Sequence, residues 1–304
     1  MLSDAFYDYS KNQFLIASIT PYRFGITFLG TGGVTISNLC GFNIQYKPRL
    51  PFVFSANGML SYSDGAAGAV KKARDLYSDE PGKGSQSISG FSSIGVQAAL
   101  VFSKKKPYKQ MQVDSTRWES GATGIQYSHC VGVINSQLSR GIVFGIENYT
   151  TVVAPKKNSG SSLVEYYSVY RTNDSAITTR TEPALLAVNA KVLAVSVGWT
   201  VVQNINTRWK YNGEVHTKAM VETKSFEFIY ALNTSLDDIK IGATKFKIKD
   251  KNLRIQNFGG RIRWAVDQNS WSRWFDLGLG MDCGWIPSKG LDLGFDLRFP
   301  VLRM

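Results

Sequence analysis

The sequence predicts an all-β fold, a closed transmembrane β-barrel. Two observations lead there: long runs in which apolar and polar residues alternate, and the lack of any segment apolar enough to span a bilayer as a helix. Alternation is clearest near the C-terminus. Phe275, Leu277, Leu279, Met281, Cys283 and Trp285 share one parity, and Asp276, Gly278, Gly280, Asp282 and Gly284 share the other. After a turn at Pro287, Ser288 and Lys289, the pattern returns with Leu291, Leu293, Phe295, Leu297 and Phe299 against Asp292, Gly294, Asp296 and Arg298. Upstream, Phe258, Gly260, Ile262, Trp264 and Val266 oppose Gly259, Arg261, Arg263 and Ala265. Phe246 and Ile248 oppose Lys245, Lys247 and Lys249. Weaker alternation marks 52–62, 94–102, 142–146, 164–170, 188–199 and 226–231.

The chain has 304 residues, 43% of them hydrophobic, with a formal net charge of +12. Its longest apolar stretch, Ala184 to Trp199, is interrupted by Asn189 and Lys191, so a spanning helix is excluded. A bilayer crossing must then use strands, and only a closed sheet leaves no backbone amide or carbonyl unpaired in hydrocarbon. At about 3.3 Å per residue, a strand of about eleven residues tilted near 45° rises roughly 25 Å, the height of a barrel's apolar band.

Residues 21–304 are expected to form the barrel, and at about fifteen residues per strand and turn, Pro21 to Phe299 holds roughly sixteen to twenty strands. Residues 1–20 form a separate N-terminal segment. Alternation fails over 4–19, Asp4 can cap a helix and Pro21 can end one, so a short N-terminal helix in or near the pore is expected. Segments 63–90 and 103–121, rich in Lys, Gly and Ser, are expected to be loops, with a short helix over 66–76.

The closing segment, with Asp292, Gly294, Leu297 and Phe299 as polar residue, glycine and spaced hydrophobics, resembles the sorting signal of mitochondrial outer-membrane barrels. The stretch Phe6-Tyr7-Asp8-Tyr9-Ser10-Lys11, followed by Tyr22-Arg23-Phe24-Gly25, resembles the start of voltage-dependent anion channels. The likeness covers both ends of the chain and little of the middle, and it extends to the related protein-translocase barrels. It implies nineteen strands, a terminal helix against the pore wall and a mitochondrial outer-membrane location.

Parity places Lys245, Lys247, Lys249, Arg261, Arg263 and Arg298 on the inner face as pore-lining residues, so a weakly positive lumen is expected. The function expected is a porin: passive diffusion of small anions and phosphorylated metabolites, with membrane lipids and other outer-membrane proteins or further copies of the chain as partners. Asp276, Asp282, Asp292 and Asp296 share those faces and make any anion preference partial. Two alternatives stay open within the class, a protein-import pore and a barrel acting as membrane scaffold or anchor. A soluble basic β-sheet protein that binds nucleic acid fits less well, because the aromatics alternate away from the charges. No cofactor, metal or catalytic residue is expected. Cys40, Cys130 and Cys283 lie far apart, and His129 and His216 sit in no nucleophile or metal motif.

Overall fold

The computed structural model describes residues 13–28, 34–67, 91–118, 125–153, 168–171, 177–179, 188–211, 214–237, 239–241, 244–248, 255–268 and 276–303. The strands run in chain order as β1 (Phe14–Phe28), β2 (Val34–Lys47), β3 (Phe52–Ala67), β4 (Ser92–Trp118) and β5 (Ile125–Val153). Next come β6 (Ser168–Arg171), β7 (Ile177–Thr179), β8 (Val188–Tyr211), β9 (Glu214–Leu236), β10 (Ile239–Ile241) and β11 (Thr244–Ile248). The last are β12 (Phe258–Gln268), β13 (Leu277–Ile286) and β14 (Gly290–Arg303).

Ten of these close into a barrel in the order β1-β14-β13-β12-β9-β8-β5-β4-β3-β2. Every pairing is antiparallel, and each barrel strand neighbours the next barrel strand in the chain, an up-and-down meander sealed by β1 against β14. One rim carries both described ends of the chain and the β2–β3 turn; we call it the terminal rim. The opposite, loop rim carries the β13–β14 turn, where Ser288 and Gly290 have φ of 57° and 102° and the Lys289 amide donates to the Ile286 carbonyl. The segments between β5 and β8 and between β9 and β12 leave from the loop rim. They contribute a separate four-stranded sheet, β10-β11-β6-β7.

Side-chain parity follows the sequence pattern. Ile94, Val96, Leu100 and Phe102 on β4, Ile142, Phe144 and Ile146 on β5, and Leu279, Met281, Trp285 and Phe295 on β13 and β14 are all exposed on the outside. Apolar surface on this scale around a closed sheet is stable only against acyl chains, so the barrel is a transmembrane one. No helix among the described residues is long and apolar enough to cross a membrane.

The barrel has ten strands and not nineteen. The allowance of one strand per fifteen or so residues fails because the strands are long: β4 has 27 residues, β5 has 29, β8 has 24 and β9 has 23, and they run past the apolar band at the terminal rim. Residues 103–118, expected as a loop, continue β4, and 63–67 continue β3. The rest of the loop and short-helix expectation over 68–90 lies outside the described residues.

The expected N-terminal helix is also overturned, because Phe14–Phe28 is strand β1, paired on both sides and part of the barrel wall. Residues 1–12 lie outside the described residues. Alternation fails over 14–17 because there β1 is apolar on both faces. Phe14 and Ile16 point into the barrel, buried, while Ile19 faces out. A bulge follows: the register with β14 shifts between Ile19 and Tyr22, around Pro21. A proline cannot donate to the ladder, so a bulge is where a strand tolerates one. Beyond it the inward parity changes from Ser18 and Thr20 to Arg23, Gly25 and Thr27.

Candidate functional site: the ion-paired barrel interior

Ten strands enclose a lumen that inward side chains nearly fill. At the terminal rim Phe14, Ile16, Val53, Ala99, Val101, Val143, Val202 and Val221 form one buried apolar cluster, drawn from β1, β3, β4, β5, β8 and β9. At the loop rim Tyr149, Val192, Ala194, Ile229, Ala231 and Ile286 form a second. There the Tyr149 hydroxyl donates to the Pro287 carbonyl at 2.7 Å, tying β5 to the β13–β14 turn across the barrel. Between these apolar ends lies a charged middle.

Its centre is a four-charge cluster. Arg261 on β12 donates to Glu147 on β5 at 2.9 Å and to Glu227 on β9 at 3.1 Å. Arg263, two residues along β12, lies 3.5 Å from Glu147 and 3.9 Å from Glu227. Gln97 on β4 and Ser225 on β9 also donate to Glu227, at 2.9 and 2.8 Å. The Glu227 side chain is 0% exposed and that of Arg261 7%. Two such groups survive together in a low-dielectric interior because each charge is matched and hydrogen-bonded.

A second cluster joins β1, β13 and β14. Arg23 donates to both carboxylate oxygens of Asp282, at 2.7 and 2.9 Å, and lies 3.9 Å from Asp292. Asp292 accepts from Thr27 at 2.6 Å and pairs with Lys289 at 2.9 Å. Toward the terminal rim Arg298 pairs with Asp296 and lies 4.0 Å from Asp267. Gln45 on β2 meets Thr223 on β9 at 3.4 Å. These strands stand on opposite sides of the ten-strand ring, so that contact spans the whole lumen. The cavity left among these side chains has a volume of about 130 Å³. That is room for on the order of ten water molecules.

Glycines make the network fit. A Cβ on Gly294 would meet the Arg23 guanidinium and the Asp282 carboxylate, and one on Gly280 would meet the Asp296 carboxylate. The strands here carry no side chain because the neighbouring strands' long side chains lie over them.

Of the residues expected to line a pore, Arg261, Arg263 and Arg298 point into the lumen. Lys245 and Lys247 do not lie on a barrel strand: they belong to β11, which pairs with β10 and β6 in the separate sheet. The period-two pattern was read correctly as a strand there, but pattern alone cannot say which sheet a strand joins. Lys249 lies outside the described residues. Asp292 and Gly294 are buried on the inner face of β14, with Leu297 and Phe299 on its other face, so Gly294 has a packing reason to be glycine.

Sequence reasoning missed Arg23, Lys47, Glu147, Glu227 and Asp267 as interior groups. Arg23 sits just past the bulge that reverses parity, and Glu147 follows a run too short to fix its face. With them the inner face carries Arg23, Lys47, Arg261, Arg263, Arg298 and Lys289 against Glu147, Glu227, Asp267, Asp282, Asp292 and Asp296. Six cations thus face six carboxylates, and Asp276, immediately before β13, continues the parity of Asp282. The described lumen is balanced in charge where a positive one was expected, and the chain's basic excess lies elsewhere.

Fold and interior together define a class: a ten-stranded transmembrane β-barrel with an ion-paired, nearly filled lumen. No protein-family model matches the chain, and neither does any of the curated proteins compared with it. Among solved structures it is similar to a KdgM porin in complex with disordered oligogalacturonate, with 9% identity over 94% of this chain and 98% of that one, at a TM-score of 0.24. It is also similar to the β domain of the Bordetella autotransporter BrkA, with 9% identity over 95% of this chain and 98% of that one, at a TM-score of 0.22. Both are bacterial outer-membrane barrels, and neither likeness leads to the mitochondrial channels. Likenesses this loose carry no argument about function, and the class rests on the barrel's own closure and apolar belt.

Proposed function

We propose that the chain is a narrow outer-membrane channel of porin type, passing small inorganic ions and water with little preference for the sign of charge. One observation carries this reading. Arg261 and Arg263 each lie within 4 Å of both Glu147 and Glu227, so the four charges can exchange partners without leaving any of them alone. A barrel built only for stability has little use for such a centre, because well-packed apolar side chains of similar volume serve as well or better. A polar, re-pairable centre next to a small cavity instead favours transient paths for water and ions.

Charge balance separates this proposal from an anion-selective pore. Rings of one sign concentrate the opposite ion, and six cations against six carboxylates do not. A cavity of about 130 Å³ is also small for a phosphorylated metabolite or an extended polypeptide. A second reading, a barrel that serves as anchor for the parts beyond the membrane, draws on the two apolar clusters that line the ends of the lumen.

Planar-bilayer recording of the purified, folded chain across a salt gradient tests the proposal. Small unitary conductances with a reversal potential near zero are expected. A reversal potential close to the anion limit overturns the charge-balance reasoning, and a complete lack of conductance in folded protein favours the anchor.

A further inference from the structure

Among the described residues, the two rims of the apolar belt differ in charge. Near the loop rim the exposed outward cation Lys191 is matched by Asp237 at 3.5 Å. At the terminal rim Lys104 on β4, Arg140 on β5 and Arg49 in the β2–β3 turn are all exposed, and none pairs with a carboxylate among the described residues. Lys104 and Arg140 are neighbours. Arg140 stands opposite Phe102 in the β4–β5 register and Lys104 opposite Leu138, so the two cations are diagonal partners on one face. Such positions lie roughly 7–8 Å apart. The β2–β3 turn is held beside them by the Val101 amide, which donates to the Pro51 carbonyl at 2.8 Å.

Beneath this basic corner the surface is apolar. Phe102 is 73% exposed, and Phe52 and Phe54 stack on each other at 6.0 Å on the adjoining strand. Nearby, Lys224 reaches Glu222 at 2.9 Å, so that pair adds no net charge. Unmatched cations at the edge of a lipid-facing belt, over exposed aromatic rings, suit a molecule with an anionic head and an apolar tail. Cations at this depth meet headgroup phosphates, and rings at the boundary meet the first methylenes of the chains.

We propose that Arg49, Lys104 and Arg140 form a binding site for the phosphate headgroup of an anionic lipid in the leaflet at the terminal rim. The occupant is a membrane lipid, not a soluble phosphate, because the rings beneath the cations need an acyl chain to cover them. The site would also fix which leaflet the terminal rim faces, since an anionic surface draws unpaired Lys and Arg toward it.

Native mass spectrometry of the full chain, released from micelles containing equal phosphatidylglycerol and phosphatidylcholine, tests the proposal. Wild-type protein should retain phosphatidylglycerol in preference. The double variant Lys104→Gln with Arg140→Gln should lose that preference, by about five-fold for each charge removed. Lys191→Gln, at the other rim, should leave it unchanged. Equal retention of both lipids by wild type overturns the proposal. So does a double variant that keeps the preference, or a loss as large in Lys191→Gln. Displacement of the bound lipid by inorganic phosphate would mark a free-anion site and overturn it too. Heat-modifiable gel mobility of each variant verifies that the barrel has folded.

Discussion

Replacing Arg261 with methionine tests whether the lumen is packed or wet. In the native barrel its guanidinium is 2.9 Å from Glu147 and 3.1 Å from Glu227, and the Glu227 side chain is fully buried. After the substitution two carboxylates share Arg263 alone, from 3.5 and 3.9 Å. Removing one member of a buried ion pair costs about 3–5 kcal/mol, because the partner keeps its desolvation penalty and loses its compensation. Retained contacts from Gln97 and Ser225 to Glu227 place the expected loss near the lower end, about 3 kcal/mol. Urea unfolding of the barrel in lipid vesicles, followed by tryptophan fluorescence, measures it. Adding Glu227→Met should recover most of the loss, since the pair is then replaced by apolar side chains of similar length. A loss under about 1 kcal/mol, the scale of a solvated pair, would refute the packed interior and leave Arg261 lining open water.

Two further substitutions probe the packing and the orientation of the wall. Gly294→Ala should destabilise by about 1–3 kcal/mol and weaken the Arg23 to Asp282 pair, because the new methyl group meets both side chains; unfolding curves matching wild type would show that the pair has room to move aside. Leu279→Arg should cost about 2–4 kcal/mol in the vesicle assay, as a charge placed among acyl chains on the outer face of β13; a neutral result would mean that this face is not in lipid.

By itself the sequence determined that the fold is an all-β closed barrel and, for β12, β13 and β14, which parity faces lipid. Period-two alternation is a local property, and the residues from Leu277 to Phe299 display it with nothing beyond β13, β14 and one turn. Arg261, Arg263 and Arg298 were legible as interior groups for the same reason. Strand number was not, because a ladder can continue outside the membrane in β4, β5, β8 and β9 with no change in period. The N-terminal strand was hidden by apolar residues on both faces, a pattern that makes sense only once Phe14 and Ile16 are seen to plug the lumen. Pairing across the barrel was beyond reach as well. Arg261 meets Glu147 from 114 residues away, and Arg23 meets Asp282 from 259 away. Local pattern tells a side chain which way to point, but only barrel closure brings strands far apart in the chain close enough for charges to match. Closure therefore decided that the basic interior expected from the sequence is a neutral one.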